Sequence, residues 1–189
     1  MSNTNNISQK FDSEKYKSIV ILFKQGDVDA FQTLYKLHSR QIHRYCIRIL
    51  VDESAAKDAL QDTFINAFNR HSDLVTDNFI SWLYSIARHC CFGILRSKKQ
   101  YEEFNEDIYV KHEKSSDFIL INHINKAIES LPHLYREALL LREFEEYSYQ
   151  EIAMIIGSDV SLAKIRVHRA RLMLRCSLIP ILEEHRHGF

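Results

Sequence analysis

The chain has 189 residues and sets 25 lysines and arginines against 25 aspartates and glutamates. A formal charge of zero argues against a protein that coats nucleic acid or an anionic membrane by bulk positive charge. Two prolines and four glycines are too few for a hairpin-rich β fold or a Gly-loop nucleotide fold, and 46% hydrophobic residues point to long helices around packed cores.

Residues 1–14 read as a flexible tail, and the opening MSNTNNISQK is too polar for a signal peptide. The apolar run Ile19 to Phe23 is too short to span a bilayer, so no membrane partner is expected. The cysteines Cys46, Cys90, Cys91 and Cys176 form no C-x-x-C pair, which fits a reduced, cytoplasmic protein without a disulfide framework.

From Ala30 the residues Phe31, Leu34, His38, Ile42, Tyr45 and Ile49 repeat at helical spacing. Lys36, Arg40, Arg44 and Arg48 recur every fourth position on another side, which reads as a solvated face. Asp52 and Ser54 offer caps for a second helix carrying Ala56, Leu60, Phe64, Ala67 and Phe68. Asp58, Gln61 and Asp62 share an exposed face of that helix, ready for arginine partners. After the polar stretch His71 to Asn78, a third helix aligns Phe79, Trp82, Leu83, Ile86, Cys90 and Ile94 and ends in Arg96, Lys98 and Lys99. Residues 100–117 carry six acids against Lys111 and Lys114 with weak periodicity, and so read as a linker.

A second helical unit opens near Phe118 with Ile121, Ile124, Ile128 and Leu131 in one stripe. Pro132 suits the first turn of the next helix, where its missing N–H is not needed. Ser148-Tyr149-Gln150-Glu151 spells a capping box for a short helix that meets Gly157, and Asp159 can cap a long helix from Val160. A short capped helix, a Gly turn and a basic second helix describe a helix-turn-helix. Ile152, Ala153 and Ile156 of the first helix and Val160, Ala163, Val167, Ala170 and Leu174 of the second face inward. The opposite face carries Ser161, Leu162, Ile165, His168 and Arg169, flanked by Lys164, Arg166, Arg171 and Arg175. From 160 to 176 there are five basic residues and no acid, against three basic residues and seven acids from 118 to 159. Positive charge is thus gathered on the one helix shaped for a major groove, where bidentate contacts are worth roughly 1–3 kcal/mol each.

Residues 131–174, LPHLYREALLLREFEEYSYQEIAMIIGSDVSLAKIRVHRARLML, resemble the promoter-reading C-terminal domain of bacterial sigma factors of the extracytoplasmic-function (ECF) class. AFQTLYKLHSRQIHRYCIRIL (30–50), AAKDALQDTFINAF (55–68) and SWLYSIARHCCFGILRSKK (81–99) resemble the other domain of that family, in order. The resemblance implies an all-α fold of two small helical domains, 15–99 and 118–189, joined by the acidic linker 100–117, the second a helix-turn-helix. It implies a transcription initiation factor that binds core RNA polymerase, directs it to promoters and helps open DNA, without being an enzyme. Asp58, Gln61, Asp62 and Phe64 would dock on the coiled coil of the largest polymerase subunit. Trp82, Arg88, His89, Arg96 and Lys98 would serve the −10 region, with the loop 71–78 holding a flipped base. Trp82 lies on the apolar stripe, so core packing suits it equally well. Ser161, Leu162, Lys164, Ile165, Arg166, His168 and Arg169 would meet the −35 element. The partners implied are the polymerase, including the flap of its second subunit, double- and single-stranded promoter DNA, and in many relatives an anti-sigma factor. No cofactor is implied.

The chain departs from that family at His89, often Asn, at Gly93, often Asp, at Leu162-Ala163, usually Thr-Val, and at Ile165, commonly polar. Leu162 and Ile165 place apolar groups where base edges are read. They either meet thymine methyls or leave Lys164, Arg166 and Arg169 to grip phosphates alone. The second reading predicts weak −35 recognition and a recruiting partner. Two rivals have less support: a helix-turn-helix regulator that is not a polymerase subunit, and a metal or thiol enzyme built on His89, Cys90 and Cys91. Consecutive helical residues point in different directions, and no second ligand pair has metal spacing, so no metal site is expected.

Overall fold

The computed structural model describes residues 13–75, 78–102 and 116–187. Nearly all of the tail expected over 1–14 and the middle of the linker expected over 100–117 lie outside them. Among the described residues the elements are α1 (Ser13–Lys24), α2 (Val28–Leu50), α3 (Glu53–Asn69), a 3-10 turn (His71–Asp73), α4 (Phe79–Glu102), α5 (Ser116–Glu129), α6 (His133–Glu143), α7 (Tyr149–Ile156) and α8 (Val160–His187). Both ends of the linker segment are therefore helical, the last turn of α4 and the first of α5.

Capping chemistry sets the corners of the N-terminal half. Gly26 turns the chain at φ 84, and a Cβ there would come within 3.3 Å of the His71 ring, so only glycine suits it. Asp27 Oδ1 then accepts from Ala30 N–H at 2.7 Å and starts α2. Val51 ends α2 in the left-handed conformation, φ 55, and Asp52 caps α3 by accepting from Ala55 N–H at 3.0 Å. The buried stripe of α2 contains the expected Leu34, His38, Ile42, Tyr45 and Ile49, but begins at Ala30, while Phe31, expected in it, is only half-buried. The alanines 55, 56, 59 and 67 let α3 lie close against it. Helix α1 was not anticipated as a helix. Its Phe23 is fully buried in an aromatic group with Phe31, Phe79 and Trp82, at centroid distances of 6.3, 5.2 and 6.2 Å.

The C-terminal half follows its sequence signals closely. Pro132 stands at the cap of α6, one residue ahead of the first turn. Ser148 Oγ accepts from Glu151 N–H at 3.3 Å while Glu151 Oε2 accepts from Ser148 N–H at 2.8 Å, a complete capping box. Gly157 turns the chain at φ 64, and Asp159 Oδ1 caps α8 through Leu162 N–H at 2.8 Å. Ala153 of α7 and Ala163, Val167 and Ala170 of α8 are buried, and the two helices pack together.

The two halves do not stand apart. Helix α6 packs on α2, α7 packs on α4, and their buried residues form one continuous core. This corrects the reading of Arg48 as part of a solvated face. Its guanidinium lies 4.0 Å over the Phe144 ring, and Nη1 is 3.8 Å from Glu145 Oε1. The second half covers a side of α2 that its own bundle leaves open.

Candidate nucleic-acid and polymerase interfaces

Three surfaces carry the residues singled out from the sequence. On α3 the side chains of Asp58, Gln61 and Asp62 are all exposed, because the helix buries its opposite, alanine-rich side. Phe64 belongs to the core instead: it packs 4.7 Å from Tyr35 and 6.2 Å from Phe31. Its backing role leaves Tyr35 and Ile65 exposed around an apolar groove of about 420 Å³ that also includes Leu60 and Gln61. Lys57 also lines this groove, and the exposed Asp58 and Asp62 stand beside it on the same helix. An apolar groove next to carboxylates can take a basic, amphipathic helix.

On α4 the candidates divide. Trp82 is half-buried in the aromatic group, 6.0 Å from Phe79, so one edge packs and the other remains accessible. His89 is exposed, with Nδ1 2.6 Å from the Ser85 carbonyl; a carbonyl only accepts, so Nδ1 carries the proton. His89 shares a shallow hollow with Asp62, Asn66, Cys90 and Gly93, which places the α3 and α4 surfaces side by side. Arg96 is exposed. Lys98 is engaged, its Nζ 2.6 Å from Asp52 Oδ2. Together with the Ala55 N–H, that bond holds the Asp52 carboxyl below the usual carboxylate range. In the preceding loop His71 Nδ1 bonds the Lys24 carbonyl at 3.0 Å, Val75 is open to solvent, and Asn78 Oδ1 caps α4 through Ser81 N–H at 3.1 Å. Residues 76 and 77 lie outside the described residues.

Arg88 stands apart from its neighbours on α4. Only 19% of its side chain is exposed, and its Nε is 2.8 Å from Oε1 of Glu137, which is fully buried on α6. Tyr45 O–H donates to the same oxygen at 3.1 Å. Burial pushes the Glu137 carboxyl above its ordinary range, and Arg88, Tyr45 and Arg166 pull it back.

On α8 the outer face presents Ser161, Lys164, Ile165, His168 and Arg169, with Leu162 at its edge. Ile165 is 46% exposed. Arg169 Nη1 donates to Tyr135 O–H at 3.3 Å. Arg166 turns the other way: it is half-buried, its Nη1 is shut off from solvent without a hydrogen-bond partner, and its charge acts on Glu137. So α8 brings six of its seven candidate residues to one face and keeps the seventh inside.

Sequence reasoning missed Glu137, Glu145 and Arg136. Glu145 is buried and accepts from Gln41 Nε2 at 3.2 Å. Arg136 is buried and donates to the carbonyls of Ile49, at 3.0 Å, Leu131 and Glu129. The available signal was Arg136-Glu137 standing inside the apolar run of α6, where buried charges need partners from elsewhere. Cys46 and Cys91 are buried free thiols, and Cys91 is pushed far up by its bond to Cys46 and by burial, which makes it unreactive. Among the described residues no group of three His, Cys, Asp or Glu side chains could hold a metal ion, and no helix is long and apolar enough to cross a membrane.

Comparison with known proteins agrees with this layout. Residues 34–101 match the family Sigma-70 region 2, and residues 122–174 match Sigma-70, region 4. The chain is 30% identical to the ECF RNA polymerase sigma factor SigW of Bacillus subtilis over 172 residues, covering 82% of this chain and 92% of SigW. It is 31% identical to the RNA polymerase sigma factor YlaC of the same organism over 168 residues, covering 84% and 97%. Among solved structures it resembles the sigma factor RpoE of Bartonella quintana in complex with the anti-sigma factor NepR. That match has a TM-score of 0.67 and 25% identity over 80% of this chain and 98% of the other.

Proposed function

The chain belongs to the extracytoplasmic-function class of RNA polymerase sigma factors, and on that premise we propose which of its surfaces does what. It is a transcription initiation factor that binds core RNA polymerase and directs it to promoter DNA. It works in the cytoplasm and catalyses no reaction of its own. The rival regulator that is not a polymerase subunit has no support, since both sigma regions are present in order.

The exposed face Asp58, Gln61 and Asp62, with the groove beside it, docks on the coiled coil of the largest polymerase subunit. Phe64 shapes that groove from behind. The half-exposed edge of Trp82, with His89 and Arg96, meets the −10 region, and Arg88 and Lys98 join them once their present partners are exchanged for phosphates. The outer face of α8 meets the −35 element. The observation that carries this reading is the exposed acidic face of α3, with Asp58 and Asp62 open to solvent opposite the helix's buried alanines. A pull-down of core polymerase with this chain tests it. Changing Asp58 and Asp62 to Ala should reduce capture at least tenfold; undiminished capture by the folded double variant would overturn the assignment.

A second reading concerns α8. Ile165 faces outward, and Arg166 faces inward, leaving Lys164 and Arg169 as its main outward cations near the base-reading turn. That set favours phosphate grip over base discrimination. The factor therefore reads its −35 element weakly and relies on a recruiting partner. Binding-site selection from random duplexes should return a shallow preference, and a sharp single motif would sink the idea.

A further inference from the structure

Tyr135 stands beside the DNA-facing side of α8 without belonging to that helix. It lies in the first turn of α6, where its N–H donates to the Pro132 carbonyl at 2.9 Å. Its ring is half-buried and packs against the core, and α6 packs along α8. A tyrosine has only two side-chain torsions, so a ring held in this way fixes the place of its hydroxyl. That hydroxyl accepts from Arg169 Nη1 at 3.3 Å. Arg169 is otherwise a long, exposed side chain that would sample many rotamers.

The chemistry of the partner decides what the contact can do. Arg171, two positions further along α8, is held by Glu143, whose Oε1 accepts from Nε at 3.0 Å and from Nη2 at 2.5 Å. A carboxylate offsets the positive charge that it orders. Arg166 is half-buried, and its charge acts on Glu137. The Tyr135 hydroxyl is neutral, so it orders Arg169 and leaves the whole positive charge on it. The bond uses Nη1 and leaves Nε and Nη2, an edge of the guanidinium that matches two phosphate oxygens.

We propose that Tyr135 is a positioning residue for promoter binding: its hydroxyl holds Arg169 ready for a phosphate of the duplex on α8. The proposal rests on the assignment of the outer face of α8 to the −35 element. A side chain ordered before DNA arrives loses less freedom on binding, so the tyrosine adds affinity without adding charge.

The test uses holoenzyme assembled from core RNA polymerase and the full chain, on a template carrying a start site that the protein directs. Initiation rate is measured against template concentration over a range of salt. Tyr135→Phe should raise the template concentration for half-maximal initiation at least threefold. The rate at saturation and the salt slope should not change, because the phosphate contact keeps its charge. Arg169→Ala should raise the same concentration and reduce the salt slope by about 0.9, the loss of one phosphate contact. Tyr135→Phe added to Arg169→Ala should shift it by less than twofold further. A merely structural tyrosine would act alike in both backgrounds. A smaller effect of Tyr135→Phe alone, or a threefold effect that remains without Arg169, would overturn the positioning role. Absence of any start directed by the wild-type chain would instead sink the functional reading, and this proposal with it.

Discussion

Tyr45 and Glu137 are 92 positions apart, and the Tyr45 hydroxyl donates to Glu137 Oε1 at 3.1 Å in the dry interior. A hydrogen bond to a charged, buried acceptor is worth about 1.5–3 kcal/mol. Tyr45→Phe keeps the ring against Tyr84, 5.1 Å away, and removes only the donor. We expect it to lower unfolding stability by about 2 kcal/mol, read from the urea midpoint at unchanged slope. An unchanged midpoint would show that the carboxylate is satisfied without Tyr45.

His38 is buried, with Nε2 2.9 Å from the Tyr16 hydroxyl, and burial pushes its pKa down to about 4. The folded chain therefore resists the proton that the unfolded chain accepts below about 6.5. Stability from this group is whole above pH 6.5 and is lost as pH falls toward 4, with a full effect of about 3 kcal/mol. Glu137, shifted upward, acts with the opposite sign as pH rises past its unfolded range. Comparing urea midpoints of wild type and His38→Gln at pH 7 and pH 5 isolates the histidine. The gap between the two should narrow at pH 5, and a pH-independent gap would refute the assignment.

Asp52 serves two neighbours at once, capping α3 with one oxygen and holding Lys98 with the other. The ion pair is partly exposed, so it contributes at most about 1 kcal/mol, whereas a lost cap costs about 1 kcal/mol by itself. Asp52→Asn should be nearly neutral in thermal unfolding, and Asp52→Ala should be clearly destabilising. Equal effects would mean that the ion pair, not the cap, matters.

Gly93 lies inside α4, and a Cβ added there meets nothing within 4 Å. Gly93→Ala should stabilise the chain by about 1 kcal/mol, a rise of roughly 2–4 °C in Tm. A fall in Tm would mean that α4 needs the glycine's freedom at this position.

Local signals carried far. Ser148, Glu151, Gly157 and Asp159 announced the helix-turn-helix because capping is decided within four residues, and the caps form as expected. The α2 stripe was legible because a 3.6-residue period marks the side facing a core. That period tells nothing of a second body packing elsewhere, so Arg48 was read as solvated and Glu137 went unnoticed. Arg166 is expected on DNA from charge and position, yet it is half-buried and its charge acts on Glu137, 29 residues away. Phe64 matched a docking pattern while occupying the core side of α3.

The account stands most directly on transcription from pooled genomic fragments with core RNA polymerase, mapped at the 5′ ends with and without this protein. It predicts a small set of new, discrete start sites that appear only with the protein and disappear with the Asp58→Ala, Asp62→Ala variant. An unchanged map of starts, despite capture of the polymerase and with recruiting factors supplied from a cell extract, would contradict it.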